Sequence, residues 1–482
     1  MQNDTSLGLD TGLARELAAI VGEAYVFSDA ADKVRYEKGA RYGEGRAALV
    51  VRPGSAAEIG AVLEYCLRNA VPLIAQGANT GLVAASTPDA SGSQVVLSLE
   101  RLRGDIQIDR ANRTATVSAG VTLQDLNEKL AQHGLCFPID LGANPSIGGM
   151  IATNTGGSRL VRYGDVRHNL LGLEVVLADP PGQVLDLMTG LRKNNTGYDL
   201  KQLFVGTGGA GGIITRAVLQ VHPLPRQTAT ALIVPTGQEA ILDLLIALES
   251  EFGDFLSAYE GISRTCIEAV MDHMPSVANP FAPEPIPDYM LLVELSSTAS
   301  REALGMDLQE ALNNFLEKHF DVLVANALLD GGPDLWKIRH SISESIRHQG
   351  KLIAFDIAVA RSSMVAFRAE AMAMMAERFP WLRLYDFGHW ADGGCHFNIV
   401  WPHGAAEPVN DAQIEELRIA IYDMVVLQYQ GSFSAEHGVG PYNERFYHRY
   451  TPEVLQEFSG KIQGAIDPQH RLGQVWFGVK KN

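Results

Sequence analysis

The sequence has few cysteines, a deficit of positive charge and no long apolar run. Its four cysteines are far apart, form no C-x-x-C pair and are too few to cross-link 482 residues, so we expect them to be reduced. The 39 basic residues against 56 acidic ones give a net charge of −17, which argues against a nucleic-acid partner. No apolar stretch approaches the ~18 residues that cross a bilayer, and Met1–Asp4 lack the basic start of a signal peptide. These absences predict a cytoplasmic protein without a transmembrane segment.

The first glycine-rich loop, Gln76–Leu82, matches neither of two common nucleotide-binding signatures. It lacks the G-x-G-x-x-G spacing of a Rossmann site and the Gly-Lys-Ser/Thr ending of a P-loop. It does follow an apolar segment, Val71–Ala75, and its small residues allow several backbone N–H groups to converge on a phosphate. Taken alone, the loop is explained equally well by an anion-binding turn and by an ordinary tight turn.

The rest of the chain alternates between helical and strand patterns. A hydrophobic content of 46% in a chain of this length is enough for two or three domains, and the prolines at 223 and 225 mark a boundary between two of them. We predict helices over 56–70, 123–133, 239–251 and 302–319, a hairpin over 106–117, and strands over 71–75, 172–178 and 289–295. The fold class is therefore α+β.

Five motifs along the first half carry a family resemblance. They are residues 72–82, then 142–157 with the sequence GANPSIGGMIATNTGG, then 162–164, 171–176 and 212–215. In this order they closely resemble the FAD-binding domain of the vanillyl-alcohol oxidase/p-cresol methylhydroxylase superfamily, and within it the D-2-hydroxyglutarate and D-lactate dehydrogenases. The resemblance implies a two-subdomain FAD-binding domain of the p-cresol methylhydroxylase (PCMH) type over residues 1–225. It also implies an α+β cap domain for substrate over 226–430 and a small helical segment over 431–482 that returns to the flavin.

The resemblance also implies which residues hold FAD. These are Gln76, Gly77, Ala78, Asn79, Thr80, Gly81, Leu82, Pro138, Gly142, Ser146, Gly148, Gly149, Thr153, Asn154, Gly156, Ile213 and Ile214. Some relatives attach the flavin to a histidine in the first loop, but Gln76–Leu82 contain neither histidine nor cysteine, so we expect non-covalent FAD. Relatives commonly have an acidic residue where this chain has Gly209, and an Asn-Pro pair where it reads Leu472-Gly473-Gln474.

Two segments of the last third contain metal-binding residue types. The segment 388–398, GHWADGGCHFN, places two histidines around an Asp-Gly turn, and 434–440, SAEHGVG, joins a glutamate to a histidine. Two imidazoles and one carboxylate suit a divalent cation with open positions for substrate, although either histidine alone is explained as well by core packing. The resemblance implies that His389, His396 and Glu436 ligate the metal, with Zn²⁺ expected and Mn²⁺ or Co²⁺ as alternatives. It further implies that His437 is the general base and that Asn398 contacts substrate.

A helical pattern around Arg339 resembles the carboxylate-binding helix of the same family. The resemblance implies that Arg339 and Ser343 face the substrate, and a guanidinium suits a carboxylate because it can donate two parallel hydrogen bonds. The family usually has a lysine before the aromatic-Asp pair, where this chain has Ala354 before Phe355-Asp356. The loss of that cation leaves the substrate's identity less well determined.

The sequence thus predicts an FAD-dependent, metal-assisted dehydrogenase that oxidises a D-2-hydroxy acid, with D-2-hydroxyglutarate first and D-lactate, D-malate or glycolate as alternatives. A non-catalytic flavin subunit of an electron-transfer complex and a zinc hydrolase are the competing hypotheses. A quinone, an electron-transfer flavoprotein or a cytochrome is the expected electron acceptor. The oligomer considered is a homodimer.

Overall fold

Two small sheets that share one hydrophobic core form the first half of the protein. The computed structural model describes residues 5–330 and 334–480. The four-stranded sheet has the order Val26–Phe27, Ala47–Val51, Gln94–Ser98, Leu73–Gln76, and the five-stranded sheet the order Gln107–Asp109, Thr114–Ser118, Ile213–Gln220, Leu170–Val176, Val184–Leu187. Leu73 of the first sheet and Leu173 of the second belong to the same buried core. The strand pair Leu135–Cys136 and His222–Pro223 lies beside them.

One helix of this half is the crossover connection between two parallel strands. Helix Ala56–Arg68 joins Ala47–Val51 to Leu73–Gln76, and both strands pair in parallel with Gln94–Ser98 between them. The other helices are Thr5–Val21, Ala30–Glu37, Leu123–Ala131, Ile147–Thr153, Leu160–Tyr163 and Val166–Asn169. The loop that follows Leu73–Gln76 therefore starts at the carboxyl edge of a buried parallel strand, where ligands commonly bind.

A larger, antiparallel sheet dominates the second half. Its strands lie in the order Val324–Asp330, Gln227–Pro235, Tyr289–Ser297, Leu256–Ser263, Arg383–His389, Gly394–Pro402 and Gly350–Ile353, and Asp356–Ala358 also pairs with Gly394–Pro402. Because strand side chains alternate, Ala231 and Ile233 enter one core and Leu232 enters the other. Helices Glu239–Phe252, Arg301–Leu304, Leu308–Lys318, Met364–Arg378 and Asp411–Asp423 cover the first face, and Arg264–His273 and Asp334–Ser345 the second.

The secondary structure departs from the sequence prediction at one helix. The pattern over 302–319 predicts a continuous helix, whereas the chain forms Arg301–Leu304 and Leu308–Lys318. Gly305 adopts a left-handed conformation with φ 66°, and the Asp307 side chain accepts hydrogen bonds from the backbone of Gln309 and Glu310. A glycine stop followed by an aspartate cap ends one helix and starts another, whatever the apolar periodicity.

The last segment contains helices Glu444–Tyr450 and Glu453–Ile466 and then returns to the first half of the chain. Leu472 bridges to Leu73, and the Gly473 N–H donates to the Leu73 carbonyl at 3.0 Å. Residues from both ends of the sequence therefore support the loop at 76–82. The domain limits at 225 and 430 stay a prediction. Among the described residues, none of the helices combines the length and the apolar character needed to cross a membrane.

Candidate active site

A cavity of about 460 Å³ lies between the two halves of the molecule. The first half contributes the glycine-rich loops around 77–86, 142–158 and 208–214. The second half contributes helix Asp334–Ser345, the hairpin Arg383–Pro402 and the segment with Glu436 and His437. The cavity thus joins the proposed flavin-binding loops to the proposed metal ligands.

Close backbone packing on the flavin side depends on glycine. A Cβ atom on Gly77 would lie 2.0 Å from Oγ of Ser146, and that hydroxyl accepts a hydrogen bond from the Gly149 N–H at 3.3 Å. Gly212 has φ +135°, and a Cβ there would lie 2.6 Å from the Val175 side chain. Without side chains in the way, backbone N–H groups can approach a diphosphate, so this side of the cavity fits FAD.

Most residues assigned to FAD line this cavity. They are Gly77, Ala78, Asn79, Thr80, Gly81, Leu82, Gly142, Ser146, Gly148, Gly149, Thr153 and Ile214. Ile213 does not line it, although its neighbour Ile214 on the strand Ile213–Gln220 does. Strand alternation allows only one of these two neighbours to face the cavity.

Four further residues assigned to FAD also lie outside the cavity lining: Gln76, Pro138, Asn154 and Gly156. The Gln76 amide donates to the carbonyl oxygens of Tyr36 at 2.9 Å and Ser86 at 2.7 Å. Asn154 has φ 54°, and its amide donates to Asp165 at 2.8 Å. The side chains of Gln76 and Asn154 therefore stabilise the loops through hydrogen bonds to other protein groups. Direct flavin contact by these four residues stays a prediction.

On the opposite side, His389, His396 and Glu436 converge. His389 ends the strand Arg383–His389, and His396 lies on the paired strand Gly394–Pro402, with the two ring centroids 5.4 Å apart. His389 Nε2 is 3.0 Å from Glu436 Oε1, and one ligand atom from each of the three residues lies within 4.8 Å of the others. Two imidazole nitrogens and a carboxylate oxygen form a donor set that fits a divalent cation such as Zn²⁺. A second group, Asp356 with His396 and His437, meets the same distance limit.

Glu260 supports this cluster and was missed by the sequence analysis. It lies on the strand Leu256–Ser263, directly across from His389, and is buried. Its Oε1 is 2.5 Å from His389 Nδ1, and its Oε2 accepts a hydrogen bond from Arg339 Nε at 2.7 Å. A carboxylate on the remote nitrogen of a ligating histidine fixes the ring and raises its basicity. The only available signal was a lone acidic residue in an otherwise uncharged strand.

The electrostatics of the cluster favour a cation. Burial opposes charge on His389, but the neighbouring Glu260 and Glu436 outweigh it and hold the His389 pKa well above its usual value. Burial also opposes ionisation of both glutamates, yet the charge of His389 keeps each of their pKa values below the usual range. Burial lowers the pKa of His396 to about 3, so this ring is neutral, which is the form that binds a metal.

Asp356 holds the segment that carries Glu436 and His437. Its Oδ2 accepts the backbone N–H of Glu436 at 3.0 Å and that of His437 at 2.8 Å, and lies 3.4 Å from His437 Nδ1. Its Oδ1 is buried without a hydrogen-bond partner. The His437 ring stacks on that of His396 at a centroid distance of 5.7 Å. The sequence analysis named Asp356 only as part of the aromatic-Asp pair and gave it no role. Its role depends on the contacts with Glu436 and His437, which are some 80 residues away in sequence.

The three residues assigned to substrate also reach the cavity. Arg339 and Ser343 lie one turn apart on the helix Asp334–Ser345, and Asn398 is on the strand Gly394–Pro402. Arg339 is not a free cation, because its Nε and Nη2 both lie 2.7 Å from Glu260 Oε2. Its guanidinium also stacks over Phe387, with the ring centroid 4.7 Å away. The structure brings these residues together with the histidine cluster, while their contact with substrate stays a prediction.

The fold and this cavity define a flavin-dependent oxidoreductase. The family model for FAD binding domains matches residues 47–187, and that for the C-terminal domain of FAD linked oxidases matches residues 224–474. This chain belongs to the FAD-linked oxidase family, which confirms the resemblance, the fold class and the cofactor FAD.

Named relatives extend over most of the chain. A probable mitochondrial D-2-hydroxyglutarate dehydrogenase of Oryza sativa subsp. japonica is 34% identical over 89% of this chain and 75% of its own length. The mitochondrial D-2-hydroxyglutarate dehydrogenase of Danio rerio is 30% identical over 88% and 77%. A solved structure of p-cresol methylhydroxylase with substrate bound superimposes with a TM-score of 0.75 over 98% of this chain and 97% of that one, at 18% identity. That identity is low, so the structural likeness supports the fold alone.

One expectation from the sequence was wrong. The absence of a basic, apolar start led us to expect a cytoplasmic protein, whereas the rice and zebrafish relatives are both named mitochondrial. Residues Met1–Asp4, on which that expectation depended, lie outside the described residues. The composition of a few terminal residues is a weak basis for assigning a compartment.

Proposed function

We propose that this chain is an FAD-dependent, divalent-metal-assisted dehydrogenase that oxidises a D-2-hydroxy acid to the 2-keto acid, with D-2-hydroxyglutarate as the first candidate. The observation that carries the proposal is the single cavity lined both by the glycine-rich loops and by His389, His396 and Glu436. The names of the rice and zebrafish relatives support the same substrate class.

Proton removal from the substrate explains the need for a metal. An aliphatic hydroxyl, taken as similar to water with a pKa of ~15.7, faces an imidazole with a pKa of ~6.5, so proton transfer is uphill by about 12 kcal/mol. When bound, the divalent ion lowers the pKa of the substrate hydroxyl, and FAD accepts the C2 hydrogen with its electron pair. His389, His396 and Glu436 are the residues that would hold the ion.

The protein's own residues then move one proton and orient the acid. Asp356 lies beside Nδ1 of His437, so that imidazole is oriented with Nε2 as the atom that accepts the hydroxyl proton. Arg339, Ser343 and Asn398 line the cavity as donors to substrate oxygens. His437 would take the hydroxyl proton and the bound FAD would supply the acceptor for the C2 hydrogen and its electron pair, so the product would be the 2-keto acid.

Because residue 354 is an alanine, two shorter acids are further candidate substrates. The family's lysine is absent there, and Ala354 is a buried residue with no side-chain donor. D-Lactate and D-malate therefore remain the second candidates. A non-catalytic subunit has no use for the buried set of histidines and carboxylates. As the electron acceptor we propose a quinone, an electron-transfer flavoprotein or a cytochrome, and as the oligomer a homodimer.

Anaerobic bleaching of the purified, FAD-loaded protein tests the proposal. We expect the flavin absorbance to fall on addition of a D-2-hydroxy acid and to persist with the L-enantiomer. EDTA should abolish bleaching while the flavin stays bound, and Zn²⁺, Mn²⁺ or Co²⁺ should restore it. A colourless protein that FAD cannot reconstitute, or bleaching that EDTA leaves unchanged, would contradict the proposal.

A further inference from the structure

Arg41 is a cation of the cavity wall that has no ion-pair partner in the part of the chain that the structure describes. Its half-buried side chain lines the same cavity as His396, His437 and Asn398. The Arg41 Nε is buried and has no hydrogen-bond partner, and no ion pair or hydrogen bond joins its guanidinium to another residue in the described part of the chain. An unpaired guanidinium in a protein wall is energetically costly, so such a group gains from an anionic ligand.

The other two arginines of the cavity differ from Arg41. Arg339 is neutralised by the buried Glu260 at 2.7 Å. Arg347 has Glu344 at 3.6 Å and donates from Nη2 to the Ala40 carbonyl at 3.4 Å. Among the described residues, Arg41 is therefore the cavity arginine that has no acidic side chain in ion-pair contact.

The surroundings of Arg41 strengthen its need for an anion. Burial is the main cause that lowers the pKa of Arg41, and the like charge of Arg347 adds to it, while Asp356 acts in the opposite direction. Asp356 forms no hydrogen bond with Arg41, and its Oδ2 already accepts two backbone N–H groups. A carboxylate of a ligand can supply the bidentate acceptor that the protein does not.

Residue 354, where the sequence resemblance implies a lysine, is an alanine without charge. Its carbonyl accepts a hydrogen bond from Arg418 at 3.2 Å. Among the described residues that line the cavity, Arg41 is thus the arginine available to a further carboxylate of a ligand.

We propose that Arg41 is a specificity-determining residue that binds the second carboxylate of a dicarboxylic D-2-hydroxy acid. This inference rests on the proposed function. The carboxylate assigned to Arg41 is then a second one, distinct from the carboxylate assigned to Arg339 and the metal cluster.

Substrate selectivity of the FAD-loaded Arg41→Gln variant tests the inference. We expect kcat/KM to fall about 10- to 100-fold for D-2-hydroxyglutarate and D-malate, and less than about 3-fold for D-lactate and D-2-hydroxybutyrate. Arg41→Lys should recover part of the loss, because it restores the charge without the fork. Arg46 is an exposed arginine on the same segment, and Arg46→Gln should leave kcat/KM unchanged for both the dicarboxylic and the monocarboxylic acids. Equal changes for both classes would overturn the assignment, as would a wild-type enzyme that shows no activity on dicarboxylic acids.

A binding measurement separates this inference from the proposed reaction. Glutarate should raise the melting temperature of the wild-type FAD-bound protein and leave that of Arg41→Gln unchanged, whereas valerate, with one carboxylate, should stabilise neither. If no 2-hydroxy acid bleaches the flavin, the proposed reaction fails while the glutarate shift still reports on Arg41. Glutarate that stabilises both proteins equally, or neither of them, would overturn the role of Arg41.

Discussion

The two sides of the cavity are built in different ways. The flavin side consists of contiguous glycine-rich loops whose contacts are made by backbone, as the close approach of Gly77 to Ser146 illustrates. The opposite side consists of charged side chains brought together from distant segments, among them Glu260, Asp356 and Glu436. The first side presents mainly backbone N–H groups to a nucleotide, and the second concentrates the charged side chains on which the proposed proton transfer depends.

This difference implies that flavin binding and catalytic activity can be lost independently of each other. Damage to the charged side should leave a yellow protein without activity, and damage to the glycine-rich side should leave a colourless protein. Variants of each side can therefore test whether cofactor retention and chemistry are independent.

The largest effect is expected from Glu436→Gln on the charged side. The amide removes the proposed anionic metal ligand and leaves His389 without one of its two carboxylates. We expect kcat to fall about 10³-fold or more while the ratio of absorbance at 450 nm to that at 280 nm stays at its wild-type value. Glu415→Gln, which alters an exposed ion pair with Arg445, is the matched control and should keep full activity. Simultaneous loss of colour would show that the two sides are not independent.

Gly77→Val tests the flavin side. The added side chain collides with Ser146, so the loops that approach FAD must separate, and we expect FAD occupancy at equal FAD concentration to fall at least about 10-fold. Gly464→Ala, where nothing lies within 4 Å of the added Cβ, should retain its flavin. Full FAD occupancy in Gly77→Val would show that backbone approach at this loop is not required.

Glu260→Gln sharpens the comparison within the charged side. It keeps the shape of the side chain but removes the charge that faces both His389 and Arg339. Loss of such an outer partner typically weakens metal affinity or activity by about 10- to 100-fold. Metal titration of the apoprotein followed by activity should show this shift, with bound flavin unchanged. Wild-type metal affinity in the variant would contradict the role given to Glu260.

The smallest effect concerns His222, which belongs to the first half of the chain and lies outside the cavity lining. Burial, with the nearby charges of Arg192 and Arg113, lowers the pKa of His222 to about 4. An unfolded histidine takes up its proton near pH 6.5, so the folded state binds fewer protons between pH 6.5 and 4. This contribution to stability is complete above pH 6.5 and is lost as the pH falls towards 4.

Melting temperatures of wild type and His222→Gln across this range measure that contribution. The wild-type protein should lose more stability than the variant between pH 7 and pH 5. Parallel curves for the two proteins would contradict the assignment.

The sequence allowed the flavin side to be predicted in more detail than the charged side. The motif of 142–157 and the loop 76–82 are continuous, so their residues could be named together, and most of them line the cavity. The side-chain contacts of Gln76 and Asn154 with Tyr36, Ser86 and Asp165 could not be read from position alone, because they depend on the tertiary fold. Similarly, the break at Gly305 was hidden within a helical apolar pattern.

The amino-acid sequence by itself determined the family, the α+β class and the residue types available for chemistry, because glycine-rich loops and closely spaced histidines are local patterns. Only the tertiary structure decided which charges are compensated. Glu260 neutralises Arg339 across 79 positions of sequence, while Arg41 has no such partner within residues 5–330 and 334–480. Whether a buried charge is paired depends on distances of a few ångströms between segments that are remote in sequence. In a low-dielectric interior the Coulomb energy of a pair is large, and it falls as the distance between the charges grows.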